Sequence, residues 1–310
     1  MSNGGIIGPV QNPVITPGSA ETTTGITSSN PAFAVNTGVT TVTVMVIAGG
    51  GAGDIGGGGA GGLRIISNHP VPSSPFPITI GAGGARTPTA TNSGTNSIFG
   101  SATPITSTGG GGAIYTSSKT GGSGSGIDST PGVPVAGGAG NTPPFSPPQG
   151  NPGGPGDTYN GTGGGGSGGT GAGPVAWPGL GGTGGAGTNV APTFGAAPQP
   201  YYPAKSPGPT DAFFAGGGGG GGTVNTPAGG TGGGGSGLSA PPASFAGDGD
   251  TNSGSGGGGN YGLGSTNAGN GGSGMVIVKQ PATSPSITAP GVWNLSDVYD
   301  YRKSGKWLGS

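Results

Sequence analysis

The chain has 310 residues, 84 of them Gly and 32 Pro, with charged residues at 5% and a formal net charge of -1. Ordinary domains carry about 25% charged residues and about 7% Gly, so too few Leu, Ile, Val and Phe remain here for one large conventional core. A near-neutral chain offers no Lys and Arg cluster to nucleic acid, and the lack of Cys excludes disulfides and thiolate metal sites.

Residues 1–20 read as an extended, Pro-punctuated apolar segment without the basic and apolar regions of a signal peptide. Residues 21–107 read as β-structure. The run Thr41-Val-Thr-Val-Met-Val-Ile-Ala48 is the best strand, β-branched and passing from alternation to a continuous apolar stretch. Residues 63–66, 76–80 and 98–99 are further strand candidates, and Pro70, Pro72, Pro75 and Pro77 suggest edges and turns. No apolar run is long enough to cross a bilayer, which takes about 20 residues.

Residues 108–273 are a glycine-rich body with linkers of Pro, Ser, Thr, Asn and isolated aromatics. Disorder usually goes with high net charge and abundant Glu and Lys, whereas this chain is nearly neutral and Glu21 is its only Glu. Collagen needs Gly at every third position, and runs such as residues 216–222 break that register. The body closes on the apolar strand Met275-Val-Ile-Val-Lys279, so it reads as an insertion between strands of one sandwich. Gly permits close backbone approach. Short segments in the polyproline II conformation, bonded to one another rather than internally, are therefore expected to stack as a bundle.

Residues 281–310 concentrate charge beside aromatics, with Asp297, Asp300, Arg302, Lys303 and Lys306 near Trp293, Tyr299, Tyr301 and Trp307. Ser296 is a plausible N-cap and Gly305 a plausible C-cap of a short amphipathic helix. Trp293, Leu295, Tyr299, Arg302 and Trp307 are its candidate docking or oligomerisation residues.

Little in the sequence points to catalysis. The stretch Val46-Ile-Ala-Gly-Gly-Gly-Ala-Gly-Asp-Ile-Gly56 resembles a dinucleotide loop, but more Gly follows where that motif needs a helix. His69, the single His, is expected in a surface loop, and one His without Cys does not make a triad or zinc site. Asp248-Gly-Asp250-Thr-Asn252 has alternate acidic spacing but lacks the Gly and Glu of a calcium loop, so it reads as a polar turn. No cofactor, metal or catalytic residue is expected. Tyr115, Trp177, Tyr201, Tyr202, Phe213 and Phe214 sit in linkers of the body. They either pack together or, as Trp177, Tyr201, Tyr202, Phe213 and Phe214, form a receptor-binding surface, because Tyr and Trp are favoured anchors and loops carry recognition.

Val44-Met-Val-Ile-Ala-Gly-Gly-Gly through Gly59-Ala-Gly-Gly-Leu-Arg64 resembles the opening of a glycine-rich domain found in virion proteins of marine tailed phages. Ile78-Thr-Ile-Gly-Ala-Gly-Gly84, Thr95-Asn-Ser-Ile-Phe99 and Gly271-Gly-Ser-Gly-Met-Val-Ile-Val-Lys279 resemble its later landmarks, in order. Asn3-Gly-Gly-Ile-Ile-Gly-Pro9 and Gly291-Val-Trp-Asn-Leu-Ser-Asp-Val-Tyr299 resemble the terminal portions of such proteins. The resemblance implies a tail-fibre or other virion structural protein. Some phage adhesins similarly stack polyglycine II helices and present loops to the host.

The expected fold is all-β: a small β-sandwich (residues 21–107, completed by 274–280), an inserted bundle of polyproline-II-type helices (108–273), an N-terminal extended segment (1–20) and a short C-terminal helix within a docking tail (281–310). The expected function is non-catalytic adhesion to a host surface glycan or protein from the virion surface. Other virion proteins would be partners, the chain would be a homotrimer, and neither nucleic acid nor membrane insertion would be involved. The alternatives are a capsid decoration or head-fibre protein and an extracellular matrix or filament-forming protein.

Overall fold

The computed structural model describes residues 14–72, 74–87, 93–114, 117–128, 134–156, 160–175, 179–203, 212–239, 245–261, 267–288 and 303. The fold is all-β. Among the described residues, twelve short strands are β1 (Val14–Thr16), β2 (Thr22–Ile26), β3 (Asn30–Phe33), β4 (Thr41–Ile47), β5 (Leu63–Pro70), β6 (Phe76–Thr79), β7 (Ser97–Phe99), β8 (Ile105–Ser107), β9 (Thr188–Asn189), β10 (Phe213–Phe214), β11 (Met275–Gln280) and β12 (Ser286–Thr288). The single-turn helix α1 spans Ala191–Phe194.

Two four-stranded antiparallel sheets, β2-β11-β4-β5 and β3-β6-β7-β8, face each other. The alternation read in β4 explains the packing, because successive strand side chains point to opposite faces. Val42, Val44 and Val46 join Val276 and Val278 of β11 in a buried core with Phe33, Phe76, Ile78, Phe99 and Ile105 of the second sheet. Met45, Ile47, Met275 and Ile277 take the opposite face, where Val190, Phe194 and Phe214 cover them. The first sheet is thus buried on both sides, which accounts for the continuous apolar end of β4.

His69 departs from the sequence expectation. It lies in β5, which runs beyond the expected residues 63–66, and it is buried rather than on a surface loop. Its Nε2 is 2.7 Å from Ser101 Oγ, and its ring meets Phe99 edge-on at 5.6 Å. A sequence window cannot show that Ser101 comes to lie opposite.

The glycine segments are ordered by their neighbours. In residues 57–62 each backbone N–H donates outside the segment. Gly57 and Ala60 donate to the carbonyls of Thr162 and Gly165; Gly58 and Gly61 donate to Gly257 and Gly254; Gly59 and Gly62 donate to Gly111 and Thr108. Every third residue returns to the same neighbour, which is the period of a polyproline II helix. The segment in turn accepts from residues 48 and 51, 123 and 126, and 218. Residues 217–222 repeat the pattern, pairing with 185 and 182, 58 and 55, and 235 and 238. The amides that a strand would spend on a sheet partner are therefore distributed around the segment, and none in these runs is left without a bond.

The array extends beyond the expected residues 108–273. Residues 48–62, 81–84 and 93–96 lie within the sandwich portion of the sequence, yet they bond into it. These segments are connections between sandwich strands, and they leave from one end. At that end Ile47 pairs with Leu63 and Met275, Ser97 pairs with Ser107, and Ser107 Oγ donates to the Val46 carbonyl across the two sheets at 2.8 Å. At the opposite end Thr41 pairs with Pro70 and Gln280 with Thr22. There β1 pairs with β12, and Ser19 bonds to Thr283. The array and the paired strands near the chain's two ends thus occupy opposite poles. Apart from Lys303, the expected C-terminal helix lies outside the described residues.

Candidate functional site

Where the sandwich meets the array, residues 188–203 and 212–215 pack on the outer face of the first sheet. β9 pairs with β10. Asn189 Oδ1 accepts from the Ala191 N–H at 3.0 Å, which holds the start of α1. The turn ends at Gly195, whose φ of 91° suits glycine. This brings Tyr201, Tyr202 and Phe214 together: the Tyr201 and Tyr202 rings meet at 5.1 Å and 82°, and Tyr202 meets Phe214 at 5.4 Å. The Tyr201 hydroxyl donates to the Phe194 carbonyl, and the Tyr202 hydroxyl donates to the Gly195 carbonyl at 2.7 Å. Burial, helped by neighbouring Tyr201, pushes the Tyr202 phenol up to about 12. Burial also raises Tyr201, with Lys279 opposing the shift.

Of the expected receptor-binding residues, Phe214 is fully buried and Phe213 half-buried. Tyr201 and Tyr202 remain half-exposed and line an open groove of about 470 Å³ with Gly25, Thr27, Pro200, Pro203, Thr251 and Asn252. Gly25 is needed in β2 because a Cβ there would stand 2.5 Å from the Tyr201 carbonyl oxygen. Thr251 and Asn252 of that lining come from the stretch read as a polar turn. Asn252 has a φ of 59°, its N–H donates to Ser273 Oγ at 2.9 Å, and its Oδ1 accepts from Ser273 at 3.0 Å. Sequence reasoning gives Thr27, Thr251 and Asn252 no part in a site, since nothing local marks them as sharing a groove with a pair of tyrosines distant in the chain.

Trp177 lies outside the described residues, as do Tyr115, Trp293, Leu295, Tyr299, Arg302 and Trp307. A second feature lies at the array's far pole. Val175 (60% exposed), Leu180 (36%) and Val224 (58%) are large apolar side chains open to solvent. They are held together by backbone bonds between Val175 and Leu180 and between Thr223 and Gly179, and by the Asn225 amide, which accepts from the Gly181 N–H at 3.0 Å. Phe245 is also exposed, with the Arg86 guanidinium 4.5 Å from its ring centroid. Among the described residues no group of three or more His, Cys, Asp or Glu is placed to hold a metal, and no helix is long and apolar enough to cross a membrane.

A family model described as a glycine-rich domain matches residues 23–281, from β2 through β11, and so takes in the sandwich and the array together. No curated protein matches the chain.

Proposed function

The chain belongs to the glycine-rich domain family, and on that footing we propose that it is a non-catalytic phage virion structural protein, a tail fibre or appendage that adheres to the host cell surface. The ordered set of motifs that resembles virion proteins of marine tailed phages supports the virion setting. The observation that carries the adhesive reading is the two-pole layout. The paired strands β1 and β12 sit at one end of the sandwich, and Val175, Leu180 and Val224 are exposed on loops at the far end of the array. A fibre needs one end for the particle and another for the target. Loops on a rigid scaffold suit recognition, and exposed apolar groups close together suit a contact. The other virion proteins would be held near the chain ends, and several copies, a trimer in the first instance, would act together.

Gold-labelled antibody against the chain is expected to mark the tail of intact particles. Labelling over the capsid would replace adhesion by capsid decoration, and absence from every particle would remove the virion reading in favour of a matrix or filament protein. Purified chain should bind host cells. The double variant Val175→Asp with Val224→Asp should lose that binding at an unchanged melting temperature, and undiminished binding would count against these loops as the contact.

A further inference from the structure

We propose that the groove between Tyr201–Tyr202 and Thr27, Thr251 and Asn252 is a binding site for a neutral saccharide, separate from the apolar loops at the far pole.

One wall is aromatic and rigid. Tyr202 is backed by the fully buried Phe214, and both phenol hydroxyls are tied to backbone carbonyls. The rings therefore hold their orientation without a ligand, and little ordering is left to oppose binding. Pro200 and Pro203 flank them, adding apolar surface with restricted backbone freedom.

Thr27, Thr251 and Asn252 make the rest of the lining polar and uncharged. The hydroxyls of Thr27 and Thr251 each offer a donor and acceptors. Asn252 is set in the left-handed region by a turn whose Ser253 is buried and donates to the Asp250 carbonyl. Its amide oxygen is engaged by Ser273, so its Nδ2 is the group left to donate.

Charge selects the ligand class. No charged side chain is among the described lining residues. The nearby Lys279 is already paired with Glu21 at 3.1 Å. Among the described lining residues an anionic sugar or phosphate finds no counter-charge and a cation finds no carboxylate. What fits is a neutral molecule with an apolar face for a ring and hydroxyls for the facing wall, which describes a pyranose. A proline-rich segment fits less well. Such segments dock in aromatic-lined grooves, whereas Thr27, Thr251 and Asn252 give this lining hydroxyl and amide groups.

The site deepens the adhesive reading, but it is tested on the purified chain and does not depend on where a particle carries that chain. The full-length protein is applied to an array of neutral and anionic oligosaccharides, with a decaproline peptide alongside. At least one neutral oligosaccharide should be retained. Its affinity should fall roughly tenfold or more in Thr27→Arg, which places a long cation in the groove from an exposed position. It should also fall in Asn252→Gly, which keeps the backbone conformation and removes the amide. Melting temperatures should match the parent for Thr27→Arg, and the far-pole double variant should bind the saccharide normally. Retention of anionic glycans only, retention of decaproline only, no retention at all, or parental affinity in both groove variants would each overturn the proposal. Loss of host-cell binding in the far-pole variant with saccharide binding intact would leave it standing.

Discussion

Gly58 shows why the array is written in glycine. Conformational freedom is not the reason, since its φ lies outside the left-handed range; the reason is space. A Cβ at Gly58 would stand 2.1 Å from the Gly51 carbonyl oxygen, and one at Gly57 would stand 2.1 Å from that of Gly218. Backbone cannot retreat as a flexible side chain can. Gly58→Ala is therefore expected to cost about 3 kcal/mol or more, read as a clear drop in melting temperature. Gly169 is the control. Its Cβ would first meet an atom at 3.4 Å, so Gly169→Ala should stay within about 1 kcal/mol and could stabilise by restricting the unfolded chain. Equal losses at both sites would contradict packing as the cause. His69 gives a second test at this scale. Burial holds its pKa below the ordinary 6.5, so the unfolded chain binds the proton more readily. Stability from the neutral ring is fully present above about pH 6.5 and is lost as pH falls through the lower folded-state value. Melting temperature should decline as pH falls below about 6.5, and His69→Gln should flatten the decline; the same slope in both would assign it to other groups.

The elements fall into two kinds that hold their amides differently. In β4 the donors go to adjacent strands on either side, β11 and β5. In residues 57–62 they go to three segments in rotation. The second kind has no side-chain core of its own, and only Ala60 of that run reaches a hydrophobic cluster. Its support comes from closely packed backbone and dense hydrogen bonding, each bond contributing about 1 kcal/mol net, against the large entropy lost by ordering glycine. Hydrogen exchange followed by mass spectrometry should find the amides of residues 57–62 protected to a degree comparable with β4. Exchange at the rate of an unfolded peptide would refute the array. The strand β4 was readable because its alternation and β-branching are local signals. β2, with the sequence Thr-Thr-Thr-Gly-Ile, and β8, with Ile-Thr-Ser, were not. Their apolar content is too low to announce a strand until the neighbouring sheet supplies partners.

At the scale of the molecule, the sandwich and the array are not successive units. The array takes in the strand connections 48–62, 81–84 and 93–96 as well as the long insertion, and the family match spans both together. This joins the groove to both parts, since Gly25 and Thr27 come from the sandwich while Thr251 and Asn252 come from a turn of the array. Composition alone determined that the chain lacks a large conventional core, and local patterning determined the main strands, the all-β class and the three-residue logic of glycine-rich stacking. Those properties rest on residue type and short-range periodicity, which a sequence displays directly. Only the tertiary structure decided which segments neighbour one another, that the tyrosines line one groove with Asn252, and that His69 is buried against Ser101. Glycine runs are nearly identical to one another, so their pairing carries almost no local signature; it is set by where the sandwich strands release them and by which backbones can then approach closely enough to bond.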